Sequence, residues 1–85
     1  DFALEVLRKE IEARGVIIED PSVAGWDIRG VAVKDWQEAY VAARIADGAE
    51  KETAERGFRG NRKQLVESYQ VKIYNKMVWI NGQAR

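Results

Sequence analysis

The sequence predicts a small α+β domain in which two to three helices pack on short antiparallel hairpins. Three patterns support this prediction. An amphipathic pattern of helical period covers the first fourteen residues, aromatic residues at helical spacing begin at residue 36, and two β-branched runs flank a turn near the carboxyl end. At 85 residues we expect one domain, residues 1–85, with one core.

The composition excludes several classes of protein and of chemistry. Without cysteine the chain forms neither disulfides nor thiolate sites, which favours a reducing, cytoplasmic location. Without histidine as well, the usual nucleophile–base pairs are absent, and a metal would have to rely on carboxylates. No apolar run approaches the roughly 20 residues that span a bilayer. We therefore expect no enzymatic activity, no cofactor, no metal and no membrane partner.

The amino-terminal segment reads as a helix that docks on the core. Asp1 is suited to cap it, and Gly15 is suited to end it with left-handed backbone. Between them Leu4, Leu7 and Ile11 recur at helical spacing, which predicts one buried face.

A first hairpin follows this helix. The β-branched run 16–18 ends at the turn signal of residues 20–22, Asp-Pro-Ser. Residues 26–29 alternate between apolar and polar, as a half-buried strand does. The alternation changes phase at Gly30, which predicts a bulge or a strand end there.

The middle of the chain reads as a long helix followed by a charged segment. Asp35 and Glu38 form a capping box at its start. One side then carries Trp36, Ala39, Tyr40 and Ala43. At residues 47–48, Asp-Gly, either the helix tolerates the glycine at about 1 kcal/mol or a turn interrupts it. Residues 49–56 contain almost no large apolar side chain and should lie exposed.

Residues 57–60, Gly-Phe-Arg-Gly, have the composition of a loop. Asn61 is suited to cap a short helix over residues 62–69, with its free amides open to an anion. The inward side of this helix is predicted to carry Leu65, Val66 and Tyr69.

The chain is predicted to end in a second hairpin, with strands 71–74 and 77–81 around a two-residue turn at Asn75 and Lys76, closed by Gly82. Counting outward from the turn pairs Lys72 with Trp79. One face is then aliphatic and buried, formed by Val71, Ile73, Val78 and Ile80. The other face carries Lys72, Tyr74, Met77 and Trp79. It is either an aromatic surface open to a partner or a second buried face covered by the long helix.

The charge distribution is the strongest functional signal. Residues 1–55 hold thirteen acids and seven bases, a net charge of −6, whereas residues 56–85 hold seven bases and one acid, a net charge of +6. Such asymmetry indicates an anionic partner. Two other readings remain open, namely that the halves neutralise each other within one fold or that copies associate head to tail.

We therefore expect a non-catalytic binding module whose partner is nucleic acid, bound by the basic last third. The cations contact phosphates and the aromatic rings stack on bases. The predicted nucleic-acid-binding residues are Arg56, Phe58, Arg59, Arg62, Lys63, Lys72, Tyr74, Lys76 and Trp79.

Two alternatives accompany this prediction. The order of elements resembles that of winged-helix DNA-binding domains, which would place Arg62 and Lys63 at the start of a recognition helix and Lys76 at the tip of the wing. The other alternative is a protein–protein interaction domain, either an accessory segment of a larger protein or a small inhibitor that uses its acidic amino-terminal part. Its contact residues would be Glu5, Glu10, Glu12, Glu50, Glu52 and Glu55.

Overall fold

The computed structural model describes residues 2–18 and 28–81. Within these ranges three helices and four strands follow one another as α1 Phe2–Arg14, β1 Val16–Ile17, β2 Arg29–Ala32, α2 Val33–Ala46, α3 Lys51–Glu67, β3 Val71–Tyr74 and β4 Met77–Ile80. The strands form an antiparallel sheet in the order β1-β2-β4-β3. The predicted α+β class is confirmed.

The amphipathic helix predicted at the amino end is α1. Its buried face consists of Ala3, Leu7 and Ile11. The backbone amide of Gly15 donates a hydrogen bond of 2.8 Å to the carbonyl of Ile11, so the helix ends where the sequence predicted. The proposed cap, Asp1, lies outside the described residues.

The antiparallel pairing of the first hairpin is confirmed, but the strand end predicted as one option at Gly30 is wrong, because β2 runs on to Ala32. Gly30 lies within β2 and pairs with Val16, and the next residue, Val31, pairs with Val78 of β4. A Cβ at this position would lie 2.4 Å from the carbonyl oxygen of Val78 and 2.8 Å from Cδ1 of Ile18. Glycine is needed because two neighbouring segments approach its backbone closely. The turn at residues 20–22 and the first two residues of the predicted strand, 26–27, lie outside the described residues.

The capping box predicted at Asp35 is wrong. Helix α2 begins earlier, at Val33, and no side chain caps it. The amide of Val33 instead donates to the carbonyl of Lys76 over 2.9 Å, so the turn of the second hairpin satisfies one of the amides at the start of the helix. At its other end, α2 stops before a turn in which Gly48 has a φ of 99°. This confirms the interruption there.

The loop predicted at residues 57–60 is wrong, because α3 runs through it without a break. Its buried residues Ala54, Phe58 and Leu65 lie at helical spacing, and the ring of Phe58 packs edge-on against Trp36 at 4.9 Å. Burying Phe58 and Leu65 contributes about 1.5–3 kcal/mol each. That exceeds the roughly 1 kcal/mol that each helical glycine costs.

The carboxyl end of α3 turns sharply into the second hairpin. Tyr69, with a φ of 61°, follows the helix, and the amide of Gln70 donates to the carbonyl of Leu65 over 3.0 Å. This is a left-handed helix end of the kind that usually holds glycine. Leu65 faces inward as predicted, but Tyr69 is 79% exposed and Val66 is 38% exposed, so their predicted inward orientation is wrong.

The second hairpin has the predicted turn and register, with Lys72 paired with Trp79. On its aliphatic face Val71 and Val78 are buried as predicted. Ile73 is 37% exposed, because β3 lies at the edge of the sheet. On the opposite face Trp79 is buried against Ile18, which follows β1, and Ile28, which precedes β2. Trp79 is therefore covered, although not by the long helix, whereas Lys72 and Tyr74 of the same face remain exposed.

The order of elements is the one on which the winged-helix alternative was based. Without β1, the order is helix, strand, two helices and two strands, and the sheet order is β2-β4-β3. The winged-helix alternative would assign α3 the place of the recognition helix and the turn 75–76 that of the wing tip. Strand β1 extends the sheet beside β2.

Candidate nucleic-acid interface

Helix α3 carries most of the predicted site. Its inner face packs on α1, α2 and the sheet, so the opposite face points away from the core. Arg56, Arg59 and Lys63 are exposed on that outer side. Residues three, four and seven positions apart neighbour each other on a helix, so these three cations share one face. Gly60 lies among them. We call these four residues the outer stripe of α3.

Acidic residues lie at both ends of the outer stripe. Glu52 precedes Arg56 by one turn, and Glu67 follows Lys63 by one turn, both exposed. Glu52 and Arg56 form an ion pair of 4.0 Å between side chains that are 87% and 72% exposed. A pair so open to solvent is worth little, so the guanidinium of Arg56 stays accessible to another anion.

The remaining cations of the predicted site are not held by carboxylates. In residues 2–18 and 28–81 the structure shows no salt bridge for Arg59, Arg62, Lys63, Lys72 or Lys76. Arg85, the last base of the positive block, lies outside the described residues. Among the described residues, the only salt bridge between the basic third and an earlier glutamate is the solvent-open pair of Arg56 with Glu52.

Two aromatic residues of the predicted site cannot stack on a base. Phe58 has no exposed surface, because it fills the core between α2 and α3, and Trp79 is 1% exposed beneath Ile18 and Ile28. Their assignment as stacking residues is wrong. Tyr74 remains accessible, with 47% of its surface exposed.

Arg62 takes a position different from that of its neighbours. It is half-buried, and its guanidinium lies 5.8 Å from the centre of the Phe58 ring, a cation–π contact. Neither Arg62 nor Lys63 begins the helix, as the winged-helix reading predicted, because α3 starts eleven residues before Arg62. Asn61 likewise lies inside the helix, so its predicted role as a cap beside an anion site is wrong.

The tip of the second hairpin presents a further cation. Asn75 and Lys76 have φ values of 52° and 66°, the conformation of the tight hairpin turn that favours glycine at its second position. Lys76 therefore adopts a backbone conformation that is unfavourable for lysine, and its side chain is exposed. Lys72 is also exposed, on β3, where it pairs with Trp79.

Sequence reasoning missed Gly60, which it placed in a loop. The residue is exposed, and a Cβ added to it would meet nothing within 4 Å. Glycine in the interior of a helix is about 0.8–1.0 kcal/mol less favourable than alanine. The spacing of Ala54, Phe58 and Leu65 was the signal that the helix continues through this position.

The acidic residues that could serve a protein partner are divided between α1 and the region where α3 begins. Glu5 is held by Arg8 at 2.6 Å, and Glu10 by Arg14 at 3.3 Å with its carboxylate side chain only 16% exposed. These pairs lie within α1 and reduce its negative field. The negative charge of α1 is therefore partly compensated, whereas Arg59 and Lys63 of the outer stripe form no salt bridge within the described residues.

Comparison with known proteins gives no relative from which the role of this site could be inferred. No protein-family model, no curated protein and no solved structure matches the chain. The resemblance to winged-helix domains accordingly rests on the order of elements and strands. Within the described residues no cluster of acidic side chains is arranged to hold a metal ion, and no helix is long and apolar enough to cross a membrane.

Proposed function

We propose that this chain is a non-catalytic module that binds double-stranded DNA. Helix α3 enters the major groove, and the tip of the β3–β4 hairpin contacts the sugar–phosphate backbone. The cysteine-free composition favours a cytoplasmic setting for this function. The observation that carries the proposal is the outer stripe of α3, where three exposed cations share the face of the helix that points away from the core.

The dimensions of the two partners support this arrangement. A major groove about 12 Å wide accepts an α-helix, which is roughly 10–12 Å across with its side chains. The guanidinium groups of the outer stripe offer paired donors to phosphate oxygens, and Lys63 can reach a further phosphate. Helix α2 packs against the inner face of α3 and holds it on the surface, as the first helix of a helix-turn-helix does.

The hairpin supplies a second point of contact. Lys76 projects from a two-residue turn, and the same turn is tied to α2 because its carbonyl accepts the amide of Val33. The backbone that carries this cation is therefore already held in place before a phosphate binds. Two separate contacts orient a domain on a duplex better than one helix alone.

A matched pair of lysine substitutions tests the proposal. Lys63→Ala removes a cation of the outer stripe, and Lys9→Ala removes an equally exposed helical cation from α1. We expect Lys63→Ala to weaken binding of a mixed-sequence 20-base-pair duplex in a fluorescence anisotropy titration and Lys9→Ala to leave it unchanged. No binding by the unmodified chain at low salt, or equal effects of the two changes, would refute the proposal.

Charge reversal separates this function from the protein-interaction alternative. Arg59→Glu adds a negative charge to the centre of the outer stripe and should abolish duplex binding. A partner held by the acidic residues of α1 would be unaffected. Single-stranded DNA and double-stranded RNA serve as further probes, because α3 fits neither a single strand nor the narrow major groove of RNA.

A further inference from the structure

We infer that Gly60 is the point at which α3 approaches the floor of the DNA major groove most closely. This inference rests on the proposed function and adds a specific contact to it. It assigns a binding role to a residue that carries no side chain. The supporting observation is that the fold itself gives no reason for glycine at this position.

The other glycines among the described residues each have a structural reason. Gly48 has a φ of 99°, which side-chain-bearing residues rarely adopt. At the remaining three positions a Cβ would come within 3.3 Å or less of a neighbouring atom, as is seen for Gly15, Gly30 and Gly57. Gly57, one turn before Gly60, faces the hydroxyl of Tyr40 at 3.3 Å.

Gly60 differs from all of these. It lies in the interior of a helix, its φ is not in the left-handed region, and the space around its missing Cβ is open to 4 Å. Alanine would fit there and would favour the helix. A residue that weakens its own helix without a packing reason is explained by a partner that needs the space.

The position of Gly60 indicates what that partner is. Arg56 lies one turn before Gly60 and Lys63 one turn after it, all on one exposed face. Because glycine has no side chain, the helix surface between the two cations is indented at Gly60. A negatively charged partner that reaches both cations must pass close to the backbone at Gly60. In DNA the negative groups are the phosphates of the two strands, and the part of the major groove that lies between them, opposite the glycine, is the edge of a base pair.

We expect replacement of Gly60 by alanine to raise the stability of the protein and to lower its affinity for DNA. Gly60→Ala should raise the urea midpoint of unfolding, because the helix gains a better helix-forming residue. The same change should weaken binding of the mixed-sequence duplex by about tenfold, and Gly60→Leu should weaken it further. Ala13→Leu, which adds the same side chain to an exposed site on α1, serves as the control and should leave affinity unchanged.

The possible outcomes are distinct. Affinity that stays constant or rises in Gly60→Ala and Gly60→Leu, while the unmodified chain binds DNA, overturns the role of Gly60 and leaves the DNA-binding function intact. Absence of DNA binding by the unmodified chain overturns both. A graded loss of affinity in variants that are at least as stable as the unmodified chain supports the close approach, because misfolding cannot then explain the loss.

Discussion

The side-chain amide of Asn61 donates a hydrogen bond to the hydroxyl oxygen of Tyr40, with a nitrogen–oxygen distance of 2.9 Å. Tyr40 belongs to α2 and is 1% exposed, so its hydroxyl depends on this contact for a partner inside the protein. The bond joins the two helices whose packing holds the outer stripe of α3 on the surface. The ring of Tyr40 also packs on the ring of Phe58, with 5.5 Å between the ring centres.

Removal of this bond should lower stability. Asn61→Ala leaves the buried hydroxyl unsatisfied, which is expected to reduce the free energy of unfolding by about 1–3 kcal/mol. In Tyr40→Phe, the additional loss on changing Asn61 should be much smaller, since no hydroxyl remains. Urea denaturation of the four proteins in the double-mutant cycle measures the coupling. A coupling below about 0.3 kcal/mol would show that the two side chains act independently.

Trp79 should act on stability rather than on binding. Trp79→Ala removes a buried indole from between Ile18 and Ile28, and we expect a loss of about 3–5 kcal/mol in the free energy of unfolding. Trp79→Phe keeps part of the packing and should bind the DNA duplex with unchanged affinity once its folding is verified by circular dichroism. A folded Trp79→Phe protein that fails to bind DNA would mean that the indole contacts the partner.

Lys76 should affect stability and binding in opposite directions. With a φ of 66°, the residue occupies left-handed backbone that costs an L-residue roughly 1–2 kcal/mol. Lys76→Gly should therefore increase the free energy of unfolding, by about 0.5–1 kcal/mol after the greater freedom of glycine in the unfolded chain is counted. It should also weaken DNA binding. Lys72→Ala, at an ordinary strand position, provides the comparison without the gain in stability.

Lower stability in Lys76→Gly would show that the lysine side chain stabilises the turn through contacts that outweigh the backbone strain. Unchanged DNA affinity in the same variant would remove the hairpin tip from the proposed interface. The two measurements are independent, since one uses urea denaturation and the other a titration with the duplex.

The second hairpin could be predicted in detail because its determinants are local. A two-residue turn fixes the register of the flanking strands, so Lys72 had to face Trp79 once the turn was placed at residues 75–76. The burial of Trp79 could not be read in the same way. It depends on Ile18 and Ile28, which are distant in sequence and come together only in the folded chain.

The sequence-based prediction of the site was wrong where the local preference of the glycines for a loop and the tertiary packing of the helix disagree. Gly57 and Gly60 suggested a loop, whereas the burial of Phe58 keeps the helix continuous. The error separated the basic residues into a loop and a short helix and so obscured the single face that Arg56, Arg59 and Lys63 share. The charge asymmetry of the sequence located the basic region, but only the continuous helix aligns its cations.

The salt dependence of duplex binding tests the central claim most directly. Four cations at the interface, Arg56, Arg59, Lys63 and Lys76, should give a plot of log affinity against log salt concentration with a slope of about −3.6. Arg59→Ala should reduce the magnitude of that slope by about 0.9. A slope near zero, or a slope that Arg59→Ala leaves unchanged, would contradict the placement of the outer stripe of α3 against DNA.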